Sequence, residues 1–413
     1  MAFQFGSKSQ HWQLPVGLTH YSTYSEMTGD ETAELEELAF RHGQYSDSYL
    51  VTEPNREFLW SKKNHAVVGF LRVGQSRFLH IAGSVLCAEE AKPAFVRELM
   101  EFAKLNKLTI LLYHLDEREL SVFRENSFQV TRFGVETRIP LAGHSWNGKQ
   151  YQWVRRQTNF VARQDVVFEE LQHQKHDRTD PTWQTVFNEL QHVARESLSG
   201  RAHCDNIPFF EGQLLQDHLG RRRIFIARAE NGRGRIEGFL LCTPMNSGTS
   251  WALEMYRKRC DAVKGTVAYL FKHAVETLQE EGCDEVSLCP LPAVNCDEPL
   301  AGDSYPARAS LKLWKRFGYA LFDINGLLHF KSRFRPEFRE MFVCAFPRCG
   351  FFNGIRATLA YAVAVGLLNI SIPSLLSKLV RWNPKRRTLA APEIQPAVIA
   401  KTEVVPEREA QAA

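Results

Sequence analysis

The feature that most constrains the fold of this chain is an order of predicted elements that occurs twice. Each half contains strands, a long amphipathic helix, a short apolar strand, a short helix and a closing strand. The halves also agree in detail, because segment 120–128 matches segment 311–319. Each has a leucine, an aromatic residue three positions later and a second aromatic residue five positions after that. In the first half these are Leu120, Phe123 and Phe128, and in the second half they are Leu311, Trp314 and Tyr319. This repetition indicates an internal duplication of a mixed α/β unit.

The predicted elements follow from apolar periodicity and turn signals. In the first half, the helices are 31–42, 91–105 and 117–125, and the strands are 66–73, 78–85, 108–113 and 128–139. In the second half, the helices are 183–197, 266–281 and 309–317, and the strands are 224–229, 236–242, 250–256, 285–289 and 319–330. Residues 230–234 form a turn signal that predicts a hairpin between the first two strands of the second half.

Composition narrows the class of protein. With 413 residues, of which 44% are hydrophobic, the chain can form two domains with buried cores. The net charge of +4 means that contact with nucleic acid or membrane must come from local patches. None of the nine cysteines forms a Cys-x-x-Cys pair, which indicates reduced thiols in a cytosolic protein. The pair His173 and His176 lies in a polar run and predicts a solvated segment, so we expect no metal site. The first 13 residues do not resemble a secretory signal.

Segment 326–339 interleaves four cations with aromatic and aliphatic residues. If the predicted last strand continues through Lys331 and Arg333, both side chains project from one face, because strand side chains alternate. Two fixed cations on one face could hold a phosphodiester or stabilise a developing oxyanion. The alternative is an edge strand with solvated basic ends.

The order of elements within each half resembles the GNAT acyltransferases. This resemblance implies a mixed α/β fold of two tandem GNAT-like domains. GNAT proteins that bind CoA carry a Gln/Arg-x-x-Gly-x-Gly/Ala loop, whose amides cradle pyrophosphate. Around Gly265 the two flanking motif positions hold Ala262 and Val267, and segment 85–90 contains no glycine. An acyl-CoA donor is therefore disfavoured, whereas the cations of segment 257–264 suit another phosphorylated donor.

Three segments extend the resemblance to a particular family, the C-terminal catalytic domains of the phosphatidylglycerol lysyltransferases, which are tRNA-dependent lipid aminoacyltransferases. Segment 253–265 resembles the family's Asp-Leu-Met-Arg-Arg-x-Pro-Asp-Ala-Pro-Asn-Gly motif. Segment 330–338 is similar to its Phe-Lys-x-Lys-Phe-x-Pro-x-Trp, and segment 41–46 with Tyr49 resembles its His-Gly-x-x-Ser. The chain departs from the family at Glu254 and Tyr256, where the family has Asp and Met, and throughout segment 288–292. We expect a stand-alone form without the family's flippase portion, so lysine and phosphatidylglycerol cannot be assumed as substrates.

The resemblance implies transfer of an amino acid from aminoacyl-tRNA to a lipid hydroxyl, without a cofactor. Arg257 and Lys331 are then the cations expected nearest the reacting ester or lipid phosphate, followed by Arg333. Glu254 and Asp261 are candidates for holding the aminoacyl ammonium or taking the hydroxyl proton. The alternative for both acids is a structural ion pair with Arg257 or Lys258.

A bound tRNA would be held mainly through its phosphates. Basic residues on either side of the predicted hairpin and in segment 155–163 are the candidates, with a solvated charged surface as the alternative. The candidate tRNA contacts are Arg221, Arg222, Arg223, Arg233, Arg235, Arg155 and Arg156.

The sequence predicts six regions. They are an N-terminal extension (1–29), a first GNAT-like domain (30–145), a connecting segment (146–180), a second, catalytic GNAT-like domain (181–350), an apolar helix with basic flanks (351–388) and a disordered tail (389–413). Segment 357–377 carries no charge, but Asn369 and Pro373 make it a poor spanning helix. We expect a helix around 354–368 that packs on the domain or lies in the membrane interface. The basic cluster would then face anionic headgroups on the inner face of the plasma membrane, with a transmembrane anchor as the alternative.

Two other functions remain open. One is a Fem-like tRNA-dependent aminoacyltransferase that acts on a peptidoglycan precursor. The other is an inactive scaffold that binds RNA or membrane without turnover. The apolar C-terminal region and segment 330–338 favour the lipid enzyme.

Overall fold

The computed structural model describes residues 12–175, 177–199, 209–318 and 322–366. Several predicted features lie outside this part of the chain: His176, Tyr319, the apolar run beyond residue 366, the basic cluster that follows it and the C-terminal tail.

The first copy of the unit begins with β1 (Leu18–Tyr21) and α1 (Gly29–His42), and a 3-10 turn follows at Ser48–Thr52. The remaining elements are β2 (Glu57–Ser61), β3 (Ala66–Leu71), β4 (Phe78–Ala82), α2 (Lys92–Leu105), β5 (Thr109–Leu115), α3 (Leu120–Glu125) and β6 (Gln129–Pro140). Helix α4 (Gln152–Ala162) connects the copies.

The second copy repeats this order. Its elements are β7 (Val167–Leu171), α5 (Pro181–Ser199), β8 (Arg223–Arg228), the single turn α6 (Ala229–Gly232), β9 (Ile236–Met245), β10 (Ser250–Lys258), α7 (Thr266–Glu280), β11 (Glu285–Pro292), α8 (Tyr305–Phe317), α9 (Ile324–Ser332) and β12 (Glu337–Phe346). Helix α10 (Phe351–Ala364) follows. The duplicated order is therefore confirmed, although β1, β2, β7 and α4 were not predicted.

One 12-stranded sheet runs through both copies, in the order β1-β2-β3-β4-β5-β12-β6-β11-β10-β9-β8-β7. The closing strands are exchanged between the copies. The first copy's β6 pairs with β11 of the second copy, and the second copy's β12 pairs with β5 of the first. The exchanged strands also pair with each other, antiparallel, with Phe338 opposite Thr137. Because each copy completes the other's sheet, residues from both copies meet around β6 and β12.

The prediction of a strand at 319–330 that continues through Arg333 was wrong. Residues Ile324–Ser332 form α9, and the last strand begins only at Glu337. The Asp323 side chain caps α9 by accepting a hydrogen bond from the Gly326 amide at 2.9 Å. Ile324 and Leu328 are spaced four residues apart and both are buried, as expected for one face of a helix. Lys331 and Arg333 therefore do not share the face of a strand.

The strands that carry the candidate residues separate in the second copy. The parallel pairing of β10 with β11 ends at Ala252 and Ser287. Beyond this point β10 shifts register between Leu253 and Met255, and β11 shifts between Ser287 and Pro290. Such bulges re-aim side chains out of the regular ladder. Glu254 and Cys289 occupy these two irregular positions and lie where the sheet opens.

Candidate active site

Glu254 lies at the bulge of β10 and is buried. Its Oε1 accepts a hydrogen bond from the Gly212 amide, and its Oε2 lies 3.8 Å from the Nε of Arg222. Burial raises the pKa of Glu254 to about 7, and the carboxylates of Glu53 and Glu211 add to this shift, whereas Arg222 and the Gly212 amide oppose it. A carboxyl group with this pKa can hold a cation or exchange a proton at neutral pH.

Arg222 joins the two copies beside Glu254. Its Nη2 donates to the Oε1 of Glu53 at 2.7 Å, and the side chains of this pair are 0% and 1% exposed. The Gln213 amide donates to the other carboxylate oxygen of Glu53 at 3.0 Å. The prediction that Arg222 contacts tRNA was therefore wrong, because its guanidinium lies inside the protein.

Arg257, three residues after Glu254 on β10, is buried and pairs with Glu211. Its Nη2 donates to one carboxylate oxygen, and its Nη1 donates to the other at 3.3 Å. Nη1 also donates to the Tyr256 carbonyl at 3.0 Å. The guanidinium is thus held in a two-point pair that an incoming anion would have to share.

Lys331 lies on α9. Together with Arg257, Glu211 and Glu254 it forms the group of charged residues called the buried cluster below. Its Nζ donates to the carbonyl oxygens of Cys289 at 2.9 Å and Pro290 at 3.2 Å. Complete burial lowers the pKa of Lys331 to about 8, although nearby acids, including Glu211, partly oppose the shift. Glu211 therefore acts on both Lys331 and Arg257. The structure brings these two predicted cations into one buried cluster.

Cys289 is the residue at the bulge of β11, with a φ of 68°. Its amide donates to the Ser287 Oγ at 2.9 Å, and its carbonyl accepts from the Thr137 Oγ1 at 3.0 Å as well as from Lys331. Burial raises the pKa of the Cys289 thiol, so the group stays protonated at neutral pH. Cys289 therefore positions Lys331 through its carbonyl and is a poor nucleophile.

The first copy contributes a polar group that sequence reasoning missed. On β6, the Nη2 of Arg138 donates to Glu136 at 2.6 Å, and the Oγ of Ser287 donates to the second carboxylate oxygen at 2.8 Å. Burial raises the pKa of Glu136, but Arg138 and Ser287 outweigh this effect and lower it. The sequence predicted β6 only as a closing strand. The burial of its charged residues follows from its position between β11 and β12, which the sequence did not show.

The segment 41–49 carried one of the family motifs. It begins at the end of α1, and its residues Ser46 and Asp47 are buried. Both belong to the first copy and lie beside the buried cluster. Tyr49 is also buried. Its hydroxyl donates to the Oε1 of Glu36 at 2.6 Å and accepts from the Arg221 amide at 3.0 Å. The motif thus links the two copies.

Two predicted catalytic residues lie elsewhere. Asp261 has a side chain that is 64% exposed, and it pairs with Arg235 at 2.9 Å. Arg333 stacks 5.8 Å from the Trp153 ring on α4 and contacts the His329 Nε2 at 3.0 Å. Asp261 and Arg333 therefore lie outside the buried cluster, because a surface turn holds the first and the helical turn after Lys331 directs the second towards α4. Their catalytic roles stay predictions.

Most of the predicted tRNA contacts are held by other groups. Arg221 pairs with Glu37 at 2.6 Å, Arg223 pairs with Glu170 and Glu281, and Arg235 pairs with Glu237 as well as Asp261. Arg155 donates to the carbonyls of Trp146 and Gly148. Arg156 and Arg233 are exposed. Whether any of these residues contacts tRNA stays a prediction.

The turn before α7 lies where a CoA-binding loop would stand. Gly265 has a φ of 103°, and a Cβ atom there would lie 3.1 Å from the Oε1 and 3.2 Å from the carbonyl oxygen of Gln157. Helix α4 therefore packs closely against this turn. The exclusion of acyl-CoA as the donor stays a prediction, which rests on the motif positions held by Ala262 and Val267.

A second feature, which sequence reasoning missed, is an apolar cavity of about 350 Å³ between α8, α10 and the strands β5, β6 and β12. Its buried end is formed by Tyr113, Phe133 and Tyr361, and its outer rim includes Leu313 and Phe317, which are 61% and 56% exposed. Beside this rim, α10 exposes a row of large apolar residues: Phe351, Phe352, Ile355 and Leu359. The cavity thus opens onto an apolar surface formed by α8 and α10.

Among the helices that the structure describes, none has both the length and the apolar character needed to cross a bilayer.

Comparison with known proteins identifies relatives of this chain. The phosphatidylglycerol lysyltransferase of Staphylococcus aureus strain MRSA252 is 22% identical over 311 residues, which are 75% of this chain and 35% of that protein. The phosphatidylglycerol lysyltransferase of Staphylococcus epidermidis is 19% identical over 72% of this chain and 33% of that protein. The chain therefore spans about a third of the length of these curated relatives.

Two solved structures share the fold. One is the C-terminal domain of a putative lysylphosphatidylglycerol synthetase from Agrobacterium fabrum, with a TM-score of 0.66 and 17% identity over 83% of this chain and 99% of that one. The other is L-PGS from Bacillus licheniformis, with a TM-score of 0.64 and 18% identity over 86% of this chain and 97% of that one. The predicted mixed α/β fold, built from two copies of one unit, is confirmed.

The family model described as phosphatidylglycerol lysyltransferase, C-terminal, matches residues 35–345, well over half of the 413 residues. This match includes the segments around Ser46, Glu254 and Lys331 that form the buried cluster. The chain belongs to the family of phosphatidylglycerol lysyltransferase C-terminal domains.

Proposed function

We propose that this protein transfers an amino acid from an aminoacyl-tRNA to a hydroxyl group of a membrane lipid. Membership of the family supports a lipid aminoacyltransferase. The observation that carries the proposal is the buried cluster in which Lys331 and Arg257 share the acid Glu211, close to the carboxyl group of Glu254.

The donor in this reaction is an activated ester, so the protein must position the ester and hydroxyl and stabilise the charge that develops. Lys331 and Arg257 supply positive charge for the oxyanion of the tetrahedral intermediate. Both are buried, and such charges act more strongly there than in water. Glu254 holds the α-ammonium group of the aminoacyl moiety. An ammonium group close to Glu254 would favour the carboxylate, whose pKa of about 7 leaves it only partly ionised when the site is empty.

The cavity between α8 and α10 suits the apolar part of a lipid acceptor. Its volume of about 350 Å³ lies at the lower end of the range of small-molecule sites, which is roughly 300–1,000 Å³. The cavity therefore has room for part of one acyl chain. Because its rim is continuous with exposed apolar side chains, a chain could enter it directly from a bilayer.

The same surface supports contact with the inner face of the plasma membrane. Phe352 and Leu359 are 77% and 60% exposed and lie seven residues apart on α10, along one side of the helix. Exposed cations flank this apolar surface: Lys312, Arg316 and Arg356. Apolar side chains next to cations are typical of helices that lie in the interface of anionic membranes.

The test is a transfer assay with purified protein, a pool of labelled aminoacyl-tRNAs and vesicles containing phosphatidylglycerol. Formation of an alkali-labile aminoacyl lipid is the expected result, and chromatography of the product would identify the amino acid and the acceptor. Lys331→Ala should lose about 10²-fold or more in transfer, as expected when a group that stabilises an oxyanion is removed. Lys63→Ala, at an exposed lysine in the turn between β2 and β3, is the matched control.

Three results would contradict the proposal. A second reaction replaces the vesicles with a peptidoglycan precursor, and a product formed only there would assign the protein to the Fem-like alternative. Binding of tRNA or vesicles without any product would favour the inactive scaffold. Transfer by Lys331→Ala at the wild-type rate would remove this residue from the site.

A further inference from the structure

His114 and Asp47 form a second buried pair at the edge of the cluster, and the mechanism above does not use it. The Nδ1 of His114 is hydrogen-bonded to the Oδ2 of Asp47, and the two side chains are 0% and 3% exposed. Among the residues that the structure describes, neither the His114 Nε2 nor the Asp47 Oδ1 has a hydrogen-bond partner. Buried polar atoms without partners cost free energy, so they call for a functional explanation.

The backbone directs His114 to this position. His114 has a φ of 65°, and the pairing of β5 with β12 shifts register between Phe342 and Cys344, opposite this part of β5. A non-glycine residue in the left-handed region is uncommon, and such residues concentrate at functional sites. The bulge is the counterpart, in the first copy, of the bulge at Cys289 in the second.

The pair lies between the cavity and the ionic cluster. The imidazole centroid is 5.1 Å from that of Phe133, which also lines the buried end of the cavity. On the other side, the charge of Asp47 contributes to the raised pKa of Cys289, whose carbonyl holds Lys331. The imidazole therefore lies beside a wall of the cavity, and Asp47, which holds it, lies towards the residue whose carbonyl holds Lys331.

We propose that His114, held by Asp47, is the general base that takes the proton of the acceptor hydroxyl. A histidine whose one nitrogen is fixed by a carboxylate and whose other nitrogen faces the reacting group is the arrangement used for this task in acyl transfer. The inference rests on the proposed function and assigns a catalytic residue to it.

The hydroxyl proton moves to the His114 Nε2 while the hydroxyl oxygen forms a bond to the ester carbonyl carbon of the aminoacyl-tRNA. The tetrahedral intermediate then collapses, the bond between the carbonyl carbon and the ribose oxygen breaks, and the imidazolium returns its proton to that oxygen. The products are the aminoacyl lipid and the free tRNA. The hydrogen bond from His114 to Asp47 holds the imidazole in place throughout the step.

The test compares steady-state transfer by wild type, His114→Gln and Asp47→Asn, with the same labelled aminoacyl-tRNA and phosphatidylglycerol vesicles. Glutamine can still donate to Asp47 but cannot carry the proton. We expect kcat to fall by about 10²–10⁴-fold for His114→Gln, the usual contribution of general acid–base catalysis, while KM for both substrates stays unchanged. Asp47→Asn should lower kcat in the same way, because the imidazole loses its fixed tautomer.

His80 offers a matched control. It is a second fully buried histidine whose Nε2 has no hydrogen-bond partner among the described residues, but its Nδ1 faces the Tyr113 hydroxyl at 3.0 Å instead of a carboxylate. His80→Gln should leave kcat close to that of wild type. Added imidazole should restore part of the lost kcat in His114→Ala and should not affect His80→Ala.

The outcomes separate this inference from the proposed function. If wild type forms aminoacyl lipid and His114→Gln stays within about tenfold of its kcat, only the role of His114 is refuted. The same holds if His114→Gln and His114→Ala fail to fold, or if their loss lies in KM, because His114 would then be structural. If wild type forms no aminoacyl lipid, the proposed function and this inference fall together.

Discussion

The buried pair of Arg222 and Glu53 permits a sharp prediction, because it joins the two copies with almost no exposure to solvent. The perturbation is Arg222→Met, which keeps most of the apolar volume of the side chain and removes its charge. Glu53 and Glu254 would then lie in the same buried region without the cation that both of them contact.

The magnitude follows from the burial of the pair. Removing one partner of a buried ion pair costs about 3–5 kcal/mol, because the remaining charge is left without compensation in a poorly solvated place. A salt bridge at the surface contributes only about 0–1 kcal/mol. The neighbouring Arg221 pairs with Glu37 at 2.6 Å, with side chains that are 40% and 35% exposed, so Arg221→Met is the matched control and should cost little.

The assay is equilibrium unfolding in urea, with both variants measured beside wild type. Glu53→Gln and the double variant complete a cycle that isolates the energy of the pair. We expect the double variant to be more stable than Arg222→Met, because it no longer buries the uncompensated charge of Glu53. The reasoning would be refuted if Arg222→Met cost no more than Arg221→Met, or if the double variant were the least stable of the set.

Four further predictions concern pH and the positions of side chains. Folding raises the pKa of Glu254 from 4.5 to about 7, so the free energy of unfolding should fall as pH rises between those values. In Glu254→Gln this pH-dependent fall should be smaller than in wild type. Lys331 should have the opposite effect, because folding lowers its pKa from 10.5 to about 8. Between pH 8 and 10.5 the free energy of unfolding of wild type should therefore rise by up to about 3 kcal/mol relative to that of Lys331→Met, as measured in urea. Asp261→Asn should leave the rate of transfer unchanged, since the carboxylate lies at the surface. A large loss of kcat would instead support a catalytic role for Asp261. Replacing Phe352 and Leu359 by Ser should weaken co-sedimentation with anionic vesicles but not lower stability measurably, because both side chains are exposed, and unchanged binding would exclude this face.

Local sequence signals predicted those parts of the fold that depend on local patterns. In α2, Phe95, Leu99 and Phe102 recur at helical spacing, and all three are buried as expected. The turn signal at residues 230–234 correctly predicted a hairpin, because the flanking segments form the antiparallel pair β8–β9. The strand predicted at 319–330 was wrong because its apolar residues fit either period, and the Asp323 cap and the packing of Leu328 decided for a helix.

The candidate site was predicted only in part, and the difference is physical. Lys331, Arg257 and Glu254 were found because they lie in segments that resemble family motifs. Asp261 was assigned for the same reason, although it points to solvent. Whether a side chain is buried depends on how the whole chain packs. The position of Asp261 close to Arg257 in the sequence therefore did not show that it would be exposed.

The sequence by itself determined that this chain is a duplicated mixed α/β protein with cations in two motif segments, because repetition, periodicity and motif spacing are encoded locally. Only the tertiary structure decided which charges meet. The exchange of β6 and β12 brings Glu136 of the first copy against Ser287 of the second, and the loop at Glu53 against Arg222. Contacts between residues more than 150 positions apart arise from the packing of the whole sheet, and no local pattern records them.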